Sequence, residues 1–216
     1  MGRILFSFAG VVGLLILASC STPEPIYRPI YQPIYEPAPR PSVQPIPKPG
    51  LQLPDTVRFL QTDKRWSRQR IGGSNESIEK EGCLVTATAM ALVNLGFETD
   101  PGDLNRRLKA NGGFNSRGWL VWRGLERATS GAIKTKFYDR KDAQSNTSDV
   151  RACLAAGYYP LVRFYLPSGQ THWGVVVQDT QQGFYIRDPM VNSSRPIGLS
   201  TRTNTIDAVR CVGAKP

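Results

Sequence analysis

The run Gly82-Cys83-Leu84-Val85-Thr86-Ala87-Thr88-Ala89-Met90-Ala91-Leu92-Val93-Asn94-Leu95-Gly96 is small or apolar on nearly every helical face. A surface helix shows one apolar stripe, so a segment apolar all round predicts a buried central helix over residues 83–95 with a glycine stop. Cys83 stands at its first position. There the unpaired amides and the helix dipole favour thiolate and lower the thiol pKa, and the chemistry then needs only a base.

Working outward, Val57-Arg58-Phe59-Leu60 reads as a short strand and Gly72-Gly73-Ser74-Asn75 as a loop. Further helices are expected over residues 101–111, with proline in the first turn and Gly112-Gly113 as the stop, over 119–128, and over 148–156. The period then changes. Residues 133–138, 160–166, 172–177, 184–188 and 206–212 are rich in branched and aromatic side chains and read as strands. Helices first and an antiparallel sheet afterwards make an α+β fold.

The chain holds one histidine, His172, so any mechanism that uses imidazole must use it. His172 opens an apolar strand, and Gln181-Gln182-Gly183 makes that strand one arm of a hairpin whose other arm ends at Asp188. Pairing about residue 180 or 181 puts Asp188 beside His172 or within two residues of it. An even-sum register then turns both side chains to one face. Asp188 can fix the imidazole tautomer while the other ring nitrogen exchanges a proton with Cys83.

Four ordered blocks, Gln61-x-Asp63-x-Arg65-Trp66, Gly82-Cys83-x-Val85-Thr86-Ala87-x-Ala89-Met90, Thr171-His172-Trp173 and Tyr185-x-x-Asp188-Pro189, resemble the C39-like branch of the papain superfamily over about residues 59–190. The resemblance implies a papain-like cysteine peptidase fold with Cys83 as nucleophile, His172 as general base and acid, and Asp188 as the orienting group. It makes Gln61 the candidate oxyanion donor. Papain-type enzymes usually place that glutamine six residues before the cysteine, where this chain has Ser77.

Of the remaining cysteines, Cys153 on the last expected helix and Cys211 on the last expected strand are expected to form a disulfide in an exported protein; the alternative is two separate buried thiols. One histidine and no C-x-x-C pair offer no zinc spacing, and no metal or other cofactor is expected. Trp66, Trp119, Trp122 and Trp173 divide between core and cleft, with Trp173, beside His172, the best-placed candidate for lining a substrate cleft.

At the N-terminus, Arg3 precedes an apolar run too short and too poorly flanked for a stable membrane span, which reads as a signal peptide over residues 1–19. Its end, Leu17-Ala18-Ser19-Cys20, resembles the lipobox of bacterial lipoproteins. The resemblance implies cleavage before a diacylated Cys20 and a membrane partner through that anchor. In a cell with two membranes Ser21 favours the outer one, facing the periplasm; otherwise the site is the outer face of the cell membrane. Residues 20–54 carry the repeat Pro25-Ile26-Tyr27-Arg28, Pro29-Ile30-Tyr31-Gln32, Pro33-Ile34-Tyr35-Glu36 and read as a polyproline II spacer, a tether or a tyrosine-bearing binding tract. A single domain then spans residues 55–216.

The formal charge is +10, and the four basic and two acidic residues of 1–54 leave about +8 on the domain. Such a surface suits an anionic cell-envelope polymer or lipid headgroups, or is simply solvated. No groove-reading motif accompanies the scattered Lys and Arg, which argues against nucleic acid. The function expected is a membrane-anchored thiol peptidase or amide hydrolase with a peptide or protein substrate. An acyl transferase on the same triad and an inactive papain-like scaffold are the alternatives.

Overall fold

The computed structural model describes residues 50–138 and 143–214, within the compact unit Pro45–Pro216. The expected signal peptide, Cys20 and the proline-rich repeat lie outside the described residues.

Helices come first: α1 (Ile78–Glu81), α2 (Cys83–Asn94), α3 (Pro101–Ala110) and α4 (Trp122–Ala128). Strand β1 (Ile133–Tyr138) and helix α5 (Ala143–Ala155) follow, then β2 (Tyr159–Tyr165), β3 (Thr171–Thr180), β4 (Gly183–Arg187), β5 (Ile197–Gly198) and β6 (Ala208–Ala214). The strands form one sheet in the order β1-β6-β2-β3-β4-β5, every pair antiparallel. The α+β expectation therefore matches the architecture.

Alternation along the strands divides the core in two. Leu161, Val175, Val177 and Val212 pack with α2, α3 and α4. Their neighbours Val162, Val176 and Cys211 pack with Val150, Cys153 and Leu154 of α5. The sheet is thus covered on both faces, and α2, with Val85 and Ala87 to Leu92 all buried, is the central helix of one layer. It ends as expected, since Gly96 has a φ of +86°, which a side chain at that position would strain.

Several expected elements and boundaries shift. Residues 57–60 are not a strand and lie as irregular chain leading into the turn at Gln61. Helix α4 begins at Trp122 rather than 119, because Phe114 and Leu120 form a bridge and Asn115 caps the turn by accepting from the Arg117 and Trp119 amides. Helix α5 starts five residues earlier than expected, at Ala143. Residues 50–54, assigned above to the spacer, are tied to the sheet. Leu53 N–H donates to Val177 O (2.9 Å), Asp179 N–H to Leu51 O (2.8 Å), and the Tyr159 hydroxyl to Pro54 O (2.7 Å).

The odd-numbered face of β6 meets α5, and there Cys153 and Cys211 form a disulfide with their Cα atoms 5.8 Å apart. The bond closes a loop with a sequence separation of 58. Loop-closure entropy for that length amounts to about 4 kcal/mol. Replacing both cysteines by alanine is expected to lower unfolding stability by roughly that amount in urea titration. An unchanged midpoint would mean that the two thiols are not joined in the protein.

Candidate active site

Three segments converge at the start of α2. Gly82, its N-cap, has no side chain to offer and no room for one: an added Cβ would lie 2.6 Å from Ile78 Cγ2 and 2.7 Å from Ile78 Cα. The close pass over α1 therefore requires glycine directly before Cys83. Cys83 is buried, at 8 % exposure, and is the one free cysteine among the described residues.

The second segment is the β3–β4 hairpin, and its register settles where Asp188 points. Next to the turn the pairs are Thr180↔Gly183, Asp179↔Phe184 and Gln178↔Tyr185; beyond a bulge at Val177 they become Val176↔Ile186 and Val175↔Arg187. Had the first register continued, Asp188 would stand opposite Val175 and face away from His172. The extra residue of the bulge changes the parity, so Asp188 extends the ladder opposite Gly174, two residues from His172 and on the same face. His172 Nε2 and Asp188 Oδ1 are 2.7 Å apart, with side chains 2 % and 0 % exposed. Phe164, the cross-strand partner of His172, packs edge-on to the imidazole at 5.3 Å.

Asp188 is held by more than the histidine. Its Oδ1 also accepts from Met190 N–H (2.8 Å) and its Oδ2 from Arg202 Nε (2.8 Å). Burial alone would push the Asp188 carboxyl up. The His172 hydrogen bond and charge, the Met190 amide and the Arg202 charge outweigh it and hold the carboxyl below its ordinary range.

The third segment is the turn at residues 60–67. Gln61 N–H donates to Pro189 O (2.9 Å) and Gln61 Nε2 to Glu79 O (2.7 Å), so this buried glutamine joins the Asp188-Pro189 corner to α1. One of its amide hydrogens is thereby committed to Glu79. Trp66 is core, with Nε1 donating to Leu60 O (2.8 Å), and Asp63 pairs with Arg65 (2.8 Å) to close the turn.

Sheet and helix meet at the thiol. Pairing of β4 with β3 stops at Val175, and at the opening of β3 the Trp173 amide, together with the amide of Leu84, lies where it favours the Cys83 thiolate. Burial pushes the Cys83 thiol up to about 12; the two amides oppose this, and the charges of Glu81 and Asp188 add to it. Burial thus works against the expected acidic helix-terminal thiol, with loss of water opposing the amide donors. Cys83 and His172 make no direct hydrogen bond to each other in the structure. The amide that acts on the thiol from the sheet belongs to Trp173, the residue after His172.

Trp173 is half-buried against the α2 layer, with the Arg163 guanidinium 5.9 Å from its ring; Trp119 is the exposed tryptophan, at 63 %. Sequence reasoning missed Arg202, which sits in Ser200-Thr201-Arg202 with no motif to mark it. The Thr86 hydroxyl, one turn from Cys83, is buried without a hydrogen-bond partner. Arg187, next to Asp188, belongs to another pair: it grips Asp55 through Nε and Nη2 (2.8 and 2.7 Å) and the Ser193 and Ser194 carbonyls, which fixes the loop after Asp188.

No family model matches the chain. No curated protein matches it either. Among solved structures, the chain is similar to a Bacillus anthracis protein provisionally assigned as a C39-like peptidase, with 17 % sequence identity, a TM-score of 0.42, and coverage of 76 % of this chain and 98 % of that one.

Proposed function

We propose that this chain is a thiol peptidase or amide hydrolase of the C39-like, papain-type class, acting through Cys83, His172 and Asp188. The observation that carries the reading is the buried 2.7 Å contact of His172 Nε2 with Asp188. It commits one ring nitrogen to the carboxylate and leaves Nδ1 for a proton exchanged with a thiol held at the neighbouring Trp173 amide. In this reading the Cys83 proton passes to Nδ1 as Sγ attacks a substrate carbonyl carbon. The resulting oxyanion is met by amides at the start of α2 and by Gln61. The amine leaves with the His172 proton, giving a thioester. Water, deprotonated by His172, then releases the acid and restores the thiol.

The domain is proposed to be exported and lipid-anchored through Cys20 at the end of its proline-rich spacer, with a peptide or protein of the cell envelope as substrate. The Cys153–Cys211 disulfide supports an oxidising compartment. A +10 chain also suits an anionic envelope polymer as a second partner. The scaffold reading draws on a specific observation, that Cys83 is buried and makes no direct hydrogen bond to His172.

A peptide library incubated with the chain and read by mass spectrometry for new termini separates these readings. Cleavage by the wild type that is lost in Cys83→Ala is the expected result, and products that depend on an added amine indicate acyl transfer instead. Absence of any product, with Cys83 also unreactive toward a thiol-directed probe, would leave the scaffold.

A further inference from the structure

The geometry points to Arg202 as a positioning residue that makes Asp188 half of a neutral ion pair, so that His172 is oriented by an acceptor with no net charge. The inference rests on the catalytic reading of the site and adds a member to it.

A fully buried carboxylate orients an imidazole well but carries a cost for thiol chemistry, because its negative charge repels the thiolate that must form nearby. Cys83 feels that charge. Arg202 Nε, 2.8 Å from Oδ2, is on the opposite side of the carboxylate from His172 in bonding terms: one oxygen serves the imidazole and the Met190 amide, the other serves the guanidinium. Arginine is charged at every accessible pH, so the compensation is permanent.

The fold delivers this residue deliberately close to Asp188. β5 pairs with β4 at Tyr185↔Gly198 and Ile186↔Ile197, directly upstream of Asp188. The 3-10 turn Leu199–Thr201 follows, held by Thr201 Oγ1 donating to Gly198 O (2.8 Å) and by Arg202 N–H donating to Leu199 O (2.9 Å). The Arg202 side chain, 24 % exposed, then lies over a carboxylate that is fully enclosed. Other charged groups around the cluster are Glu81 from α1 and Arg195 from the loop after Asp188, while Arg187 is already engaged by Asp55.

The test reads the thiol that the compensation serves. The charge of Asp188 is among the causes that push the Cys83 thiol up, so leaving that charge uncompensated disfavours thiolate further. Arg202→Gln is therefore expected to slow iodoacetamide alkylation of Cys83 at pH 8 by about tenfold. Arg202→Lys keeps the charge and is expected to stay within about twofold of wild type. A folded Arg202→Gln chain with an unchanged rate, or equal losses in both variants, overturns the proposal and reduces Arg202 to a turn anchor. If the glutamine variant does not fold, Arg202→Ala removes the same charge and is read against Arg202→Lys in the same way. The readout needs no substrate, so failure of the hydrolase reading and failure of this one are separate results.

Discussion

Replacing His172 with alanine is expected to slow alkylation of Cys83 at pH 7 by at least about 100-fold, with the fold retained. Burial pushes the thiol up to about 12, so without a proton acceptor very little of it is thiolate at pH 7. The sign is fixed by the cause. Desolvation disfavours the charged form, thiolate accumulates only as the pH approaches the raised value, and an imidazole that takes the proton is the available route to a nucleophile at neutral pH. The variant keeps its fold because Asp188 is not left alone: Arg202 and the Met190 amide still satisfy it. Iodoacetamide labelling read by intact mass, with thermal unfolding as the control, measures the effect. Equal rates in the two folded proteins would separate Cys83 from His172.

Removing the carboxylate instead is expected to cost stability. Asp188→Ala strips partners from a guanidinium that is 24 % exposed, an imidazole that is 2 % exposed and a backbone amide, and is expected to destabilise the chain by about 3 kcal/mol. Asp188→Asn keeps an acceptor for His172 and is expected to lose less. The pH dependence follows from the depressed carboxyl. Its contribution is complete above the unfolded value of about 3.9 and is lost as pH falls through the lower folded value. The difference in urea stability between wild type and Asp188→Ala should therefore narrow below about pH 4. A constant difference down to pH 2 would mean that the charge on Asp188 is not what stabilises the cluster.

How far these features were legible from residue order varied with the kind of signal. The central helix was readable because residues 83–95 leave no polar face, and the strands because their branched and aromatic runs are bounded by Gly and Ser-rich turns. The His172–Asp188 pairing was readable only as far as parity allowed. A pairing centre of 181 is what the ladder adopts next to Asp188, but it arises through the bulge at Val177, which no residue in the hairpin announces. Residues 57–60 looked like a strand because Val57, Phe59 and Leu60 are branched or aromatic, with only Arg58 polar among them. Val57 and Phe59 are in fact half-buried cover for the α2 layer, in chain that pairs with no strand. Arg202 could not be found from sequence, since its role depends on a two-residue strand and a 3-10 turn laid beside β4. The thiol's burial was equally hidden: position at a helix N-terminus is local, whereas exclusion of water depends on Trp173 arriving from a strand 90 residues away in sequence.

The most direct test of the central claim, that Cys83 and His172 exchange a proton, is the pH profile of Cys83 alkylation in the wild-type chain. An inflection below about pH 8, with substantial reaction on its alkaline side, is the predicted result, because the imidazole then supplies thiolate far below the thiol's own range. A rate that climbs steadily toward about 12 with no earlier inflection, as burial alone dictates, would contradict the pair and leave a domain with an inert cysteine.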